Sequence, residues 1–78
     1  MKANKTLDCF GLLCPMPIIK TSQAIKEMKA GEVLEILATD EGIKPDIAAW
    51  TSRTGHKLLK IDEEPGDPPI FKIYVRKK

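Results

Sequence analysis

A cysteine followed by two prolines one residue apart, Cys14-Pro15-Met16-Pro17, is the stretch of this 78-residue chain best suited to chemistry. A strand signal precedes it (Lys5 to Cys9), Gly11 breaks that strand, and a helical pattern follows from Ile18 to Ala30. Cys14 therefore falls where a loop hands over to a first helical turn. Free backbone N–H groups and the positive end of the macrodipole favour an anion there. A thiol so placed ionises more easily, and the thiolate is the nucleophile. Proline is tolerated in a first turn because its missing N–H has no intrahelical partner there. With Cys14 as the cap, Pro15 is the first helical residue and Pro17 the third. Of the first four helical N–H groups, those of Met16 and Ile18 then remain to face a charge on Cys14. Read from the residues alone, Cys14 fits a reactive thiol and equally a small buried hydrophobe.

The other candidates are weaker. Cys9 lies five residues before Cys14, so the pair is not Cys-x-x-Cys and thioredoxin-like exchange is disfavoured. Cys9 is a core-facing strand residue or, if the loop folds back, a second thiol for Cys14. His56, the single histidine, is an accessory base or a surface residue after a helix-ending glycine. With one His and two Cys a zinc site lacks its fourth ligand, and no metal is expected. Asp46 serves the entry of a helix. Lys72, Arg76, Lys77 and Lys78 form a basic patch for RNA or an acidic partner, or else a solvated strand face and a frayed tail.

The elements that must position these residues are legible from pattern. Leu7 and Cys9 share one strand face. Ile18, Ile25 and Met28 recur at helical spacing beside Ala24 and make an inward stripe, with Gly31 as the stop. Leu12-Leu13 are expected to pack under the loop. Glu32 to Thr39 reads as a buried strand. Pro45 to Thr54 reads as a second helix, stopped by Gly55, with Ile47, Trp50 and Thr51 on one side. His56 to Glu63 reads as a strand, although Leu58 breaks its alternation. Pro65 to Pro69 is a turn. Phe71, Ile73 and Val75 then alternate with Lys72, Tyr74 and Arg76 in a last strand. The order βαβαββ in so short a chain predicts a two-layer α/β sandwich, a four-stranded mixed sheet with both helices on one face.

Composition excludes several classes. One domain, residues 1–78, is the most this length allows. Hydrophobic residues at 42% support a modest core and charged residues at 31% a solvated surface. A net charge of +2 does not point to a nucleic-acid binder, and direct nucleic-acid binding is disfavoured. Two cysteines do not make a disulfide scaffold. No signal-peptide pattern or long apolar run occurs, which points to the cytoplasm and away from a membrane.

The residues Leu7-Asp8-x-x-Gly11-Leu12-x-Cys14-Pro15-x-Pro17 resemble the signature of the TusA-like (SirA-like) sulfur-carrier family. The resemblance continues through Gly31-Glu32, Ala38-Thr39-Asp40-x-Gly42, Asp46-Ile47-x-x-Trp50 and Gly55-His56, in family order and over nearly the whole chain. It implies a fold similar to the C-terminal domain of translation initiation factor 3. It also implies that Cys14 accepts a persulfide sulfur from a cysteine desulfurase and passes it to a downstream acceptor, in known members for 2-thiolation of tRNA or other sulfur relays. Persulfide transfer needs one exposed sulfur and no cofactor, with Gly11, Pro15 and Pro17 shaping the turn. The helix dipole would stabilise the persulfide anion by about 0.3–1 kcal/mol. Two departures stand out: Glu41 replaces the family's proline, and Cys9 is an additional thiol. A binding module using the basic tail, and a redox protein using Cys9 and Cys14, are the alternative readings.

Overall fold

The computed structural model describes residues 2–13 and 15–78. Its elements are β1 (Lys5–Cys9), α1 (Met16–Lys26), β2 (Val33–Ala38), α2 (Ile43–Thr54), β3 (Lys57–Glu64) and β4 (Ile70–Arg76). The strands form one mixed sheet in the order β1-β2-β4-β3. β1 and β2 run parallel, with Leu7 opposite Ile36 and Cys9 opposite Ala38. A parallel pair needs a long crossover, and α1 supplies it. β4 lies antiparallel to both β2 and β3, the latter pairing allowed by the short Pro65–Pro69 connection.

Both helices cover one face. The core is built from Cys9, Leu34, Ile36, Ala38, Phe71, Ile73 and Val75 on the sheet, with Ala24, Ile25, Met28, Ile43, Ile47 and Trp50 opposite. Two buried threonines fit on the inward helix faces because their hydroxyls donate to the preceding turn, Thr21 to Pro17 O at 2.7 Å and Thr51 to Ile47 O at 2.9 Å. On the uncovered face Tyr74 is nevertheless buried. Its hydroxyl donates to Glu35 at 2.6 Å, and Thr6 donates to the same carboxylate at 3.0 Å. That hydrogen bond, reinforced by burial and by the charges of Glu35 and Asp62, pushes the Tyr74 phenol up to about 12.

Several element boundaries differ from the sequence expectation, each for a local reason. α1 ends at Lys26 rather than Ala30, although Met28 stays buried. Beyond Lys26 the chain has other partners. Lys77 Nζ donates to Met28 O at 2.5 Å, Lys29 N–H donates to Glu32 Oε1 at 2.7 Å, and Gly31, at φ 87°, donates to Lys77 O. α2 begins at Ile43, two residues early, with Pro45 in its third position, where a missing N–H is still tolerated. The broken alternation at Leu58 is a register shift between Leu58 and Lys60 in β3. Described residues near both ends are tied to the sheet and helices. Asn4 N–H donates to Val33 O and its side chain accepts from Val33 N–H, both at 2.8 Å. At the other end Lys77 and Lys78 are tied to α1 and His56.

Candidate functional site

Cys14 itself lies outside the described residues; the structure places everything on either side of it. β1 and β2 end side by side at Cys9 and Ala38, and α1 and α2 both start just beyond. The positive ends of two parallel helix dipoles therefore meet at the end of the sheet that carries the motif.

The approach to the motif is pinned by its own backbone. Phe10 N–H donates to Asp8 Oδ1 at 2.9 Å, and Leu12 N–H donates to Cys9 O at 3.2 Å. Gly11, at φ 74°, adopts a left-handed conformation that suits glycine. Its N–H donates to Thr39 Oγ1 at 3.1 Å, which fastens the motif loop to the loop leading into α2.

The start of α1 departs from the sequence expectation in a way that bears on chemistry. Pro15 is the cap, at φ −99° and ψ 14°, and Met16 is the first helical residue. Met16 N–H donates to Leu13 O at 2.9 Å, and Ile18 N–H donates to Pro15 O at 3.1 Å. The two donors expected to face Cys14 are thus committed within the turn, because shifting the cap by one residue lets each reach a carbonyl three positions back. How these donors stand to the Cys14 thiol lies outside the described residues; the field of the dipole acts at this end of α1 in either case. Pro17 is buried and anchors the first turn in the core.

Among the described residues the large apolar side chains that stand exposed are Phe10, Leu13, Met16 and Ile19, with Leu13 at 71%. All four fall within ten positions that bracket Cys14. Leu13 was expected to pack under the loop; only its neighbour Leu12 touches the core. The signal for this patch was present in the sequence, since Ile19 lies off the inward helical stripe and Phe10 alternates with the buried Cys9. On the α2 side, Pro15 and Ile18 line a groove of about 250 Å³ with Asp46, Ala49 and Arg53.

The accessory candidates are placed elsewhere. Cys9 is a free thiol with no exposed surface, and burial pushes its pKa up, with Asp8 adding to the rise and Lys20 opposing it. It is packed rather than presented. His56 follows α2, which runs about 18 Å away from the motif end, so it lies past the far end of that helix from the Gly11 loop. Instead its ring lies 5.2 Å from that of Trp50, and its Nδ1 accepts Lys78 N–H at 3.0 Å. Of the basic residues, Lys72 pairs with Glu64 at 3.1 Å and Lys77 caps α1, so they do not form one free patch. Among the described residues no group of three or more His, Cys, Asp or Glu could hold a metal ion.

Burial first, then the charges of Lys77 and Lys78, lower the His56 pKa from 6.5. The folded chain therefore binds fewer protons than the unfolded chain in this range. The contribution to stability is present above the unfolded value and is lost as the pH falls below it. Urea midpoints are expected to drop between about pH 7 and pH 5.5 in the wild type, and His56→Phe, which keeps a ring against Trp50, should flatten that part of the profile.

Comparison with known proteins bears on this site directly. The family described as sulfurtransferase TusA matches residues 5–77. The chain belongs to the TusA family. YrkI of Bacillus subtilis, named as a candidate sulfur carrier protein, is 47% identical over 77 residues, covering 99% of each chain. The sulfur carrier protein TusA of Allochromatium vinosum is 38% identical over 63 residues, 81% of this chain and 83% of that one. The crystal structure of a SirA-like protein from Desulfitobacterium hafniense superposes with a TM-score of 0.74 over 95% of this chain and 99% of the other. At 23% identity it supports the fold alone. The family match spans both loops joined by the Gly11–Thr39 hydrogen bond, as well as the Cys-Pro-x-Pro turn.

Proposed function

We propose that this TusA-family chain is a sulfur carrier in which Cys14 holds the sulfur. The observation that carries the reading is the exposed apolar surface of Leu13 and Met16 on either side of Cys14, on a loop fixed by Gly11, Pro15 and Pro17. A carrier has no substrate pocket of its own to complete. It needs a thiol at a surface that another protein can cover.

In loading, the Cys14 thiolate attacks the terminal sulfur of a persulfide held by a cysteine desulfurase. The donor's S–S bond breaks, its cysteine leaves as thiolate, and a new S–S bond forms on Cys14. Unloading repeats the exchange with an acceptor thiolate, so neither step needs an external oxidant or reductant. Thiolation of tRNA through an acceptor enzyme is one destination, and the reducing cytoplasm is the compartment in which a single-thiol carrier stays available.

The test is direct. Incubated with a cysteine desulfurase and free cysteine, the protein is expected to gain the mass of one sulfur atom, located on Cys14 by non-reducing peptide mass spectrometry. Cys14→Ser should gain none, whereas Cys9→Ser should load as the wild type does. Absence of the adduct in the wild type, or its persistence in Cys14→Ser, would overturn the assignment.

A further inference from the structure

β1 is the regular open edge of the sheet. Its pairing with β2 runs without interruption from Lys5 to Cys9, while the opposite edge, β3, carries the register shift at Leu58/Lys60 and reads Lys-Leu-Leu-Lys-Ile-Asp-Glu-Glu. Bulges and charges blunt an edge against further pairing; an even strand does not. Asn4 N–H donates to Val33 O. Along a parallel strand successive residues turn their N–H and C=O to opposite sides, so Thr6 and Asp8 face β2, and Lys5, Leu7 and Cys9 face outward, the Cys9 C=O already accepting Leu12 N–H with one lone pair and keeping the other.

Beside this edge runs a groove of about 300 Å³, lined by Lys5 and Leu7 of β1, by Lys20, Gln23 and Ala24 of α1, and by Glu27 at the C-cap of that helix. Its ends are fixed by charge: Lys5 Nζ lies 3.5 Å from Glu27, and Lys20 is near enough to Cys9 for its charge to act on that thiol. Leu7 is therefore level with the midpoint of the helical segment, between Gln23 and Ala24. A twofold axis through that midpoint, perpendicular to the sheet, sets Leu7 opposite Leu7 of a second copy and Lys5 opposite Cys9. The same axis sets Gln23 opposite Ala24 and Lys20 opposite Glu27. The outward backbone groups meet as an antiparallel hydrogen-bonded pair, and opposite charges meet across the helices.

We infer that β1 and α1 form a self-complementary surface for a second copy of this chain. Two β1 strands pair antiparallel about Leu7, the two sheets join into one of eight strands, and the two α1 helices lie side by side over the join. Each Glu27 then sits between Lys5 of its own chain and Lys20 of the other, and the groove closes over Leu7 and Ala24. A C2 contact of this type is isologous and closes at two copies.

Sedimentation equilibrium over a wide concentration range tests this, with backbone amide NMR shifts followed on dilution. The expected result is a monomer–dimer equilibrium with shifts concentrated in β1 and on the Lys20–Glu27 side of α1. Glu27→Lys leaves only positive charges at each end and should weaken the dimer at least about tenfold. Lys5→Pro removes an outward N–H at the start of the strand, where proline is tolerated, and should weaken it similarly with the monomer still folded by circular dichroism. Glu41→Lys, an exposed charge reversal away from this edge, should leave the equilibrium unchanged. A monomer at every concentration, a dimer indifferent to both Glu27→Lys and Lys5→Pro, or shifts confined to β3 would each overturn the proposal.

Discussion

The double substitution Leu13→Ser, Met16→Ser is expected to slow sulfur loading from a cysteine desulfurase at least about tenfold, a loss near 1.4 kcal/mol. Leu13 and Met16 are exposed, so removing them takes nothing from the core. Fully burying such a side chain against a partner contributes about 1.5–3 kcal/mol, and two of them flank the position proposed to bear the sulfur. Serine keeps both sites neutral, so the electrostatic environment of the thiol is not altered by a new charge. The rate of alkylation by a small reagent such as iodoacetamide should therefore stay at the wild-type level. A drop in loading without a drop in alkylation assigns the loss to docking. Unchanged loading would sink the role given to the patch.

Phe71→Ala is expected to destabilise the fold by about 3–5 kcal/mol, a large part of the roughly 5–15 kcal/mol that holds a domain together. Phe71 is fully buried in β4, opposite Ala38 in β2 and Glu63 in β3. Its neighbour across the register is alanine, and one side of the ring is covered by a lysine. Both limit how well the site can collapse. Lys44 Nζ sits 4.9 Å from the ring centroid and also pairs with Glu63, so losing the ring removes a cation–π contact as well as core volume. Urea unfolding followed by circular dichroism measures this. A loss below about 1 kcal/mol would show that the core refills the space, against the cavity cost seen for large-to-small changes.

The architecture was legible because its signals are periodic and local. β4 alternates from Phe71 to Arg76, and the two helices carry their inward residues at helical spacing, so layer, face and order followed. The boundaries were less legible where a proline admits more than one position in a first turn. Pro45 fits the first and the third place equally well by sterics, and only the bonds from Ile43 and Lys44 to Asp40 and Glu41 decide between them. At the motif, the same ambiguity moved the cap from Cys14 to Pro15 and redirected two N–H groups. Leu13 shows the opposite limit. A leucine beside a leucine reads as core by composition, and which of the pair turns outward depends on the Gly11 turn rather than on residue type. Lys77 was read as tail because its partners, the carbonyls at the end of α1, lie some fifty residues earlier in the chain.

The closed hydrogen bonding of the first turn of α1 has a thermodynamic consequence for a molecule that must give up what it receives. Had Met16 and Ile18 both aimed their N–H groups at a bound persulfide, the loaded state would sit in a well that every acceptor had to overcome. With those donors bonded within the turn, the loading proposed above exchanges one S–S bond for another of similar strength. The direction of sulfur flow is then left to the relative supply of loaded donor and empty acceptor.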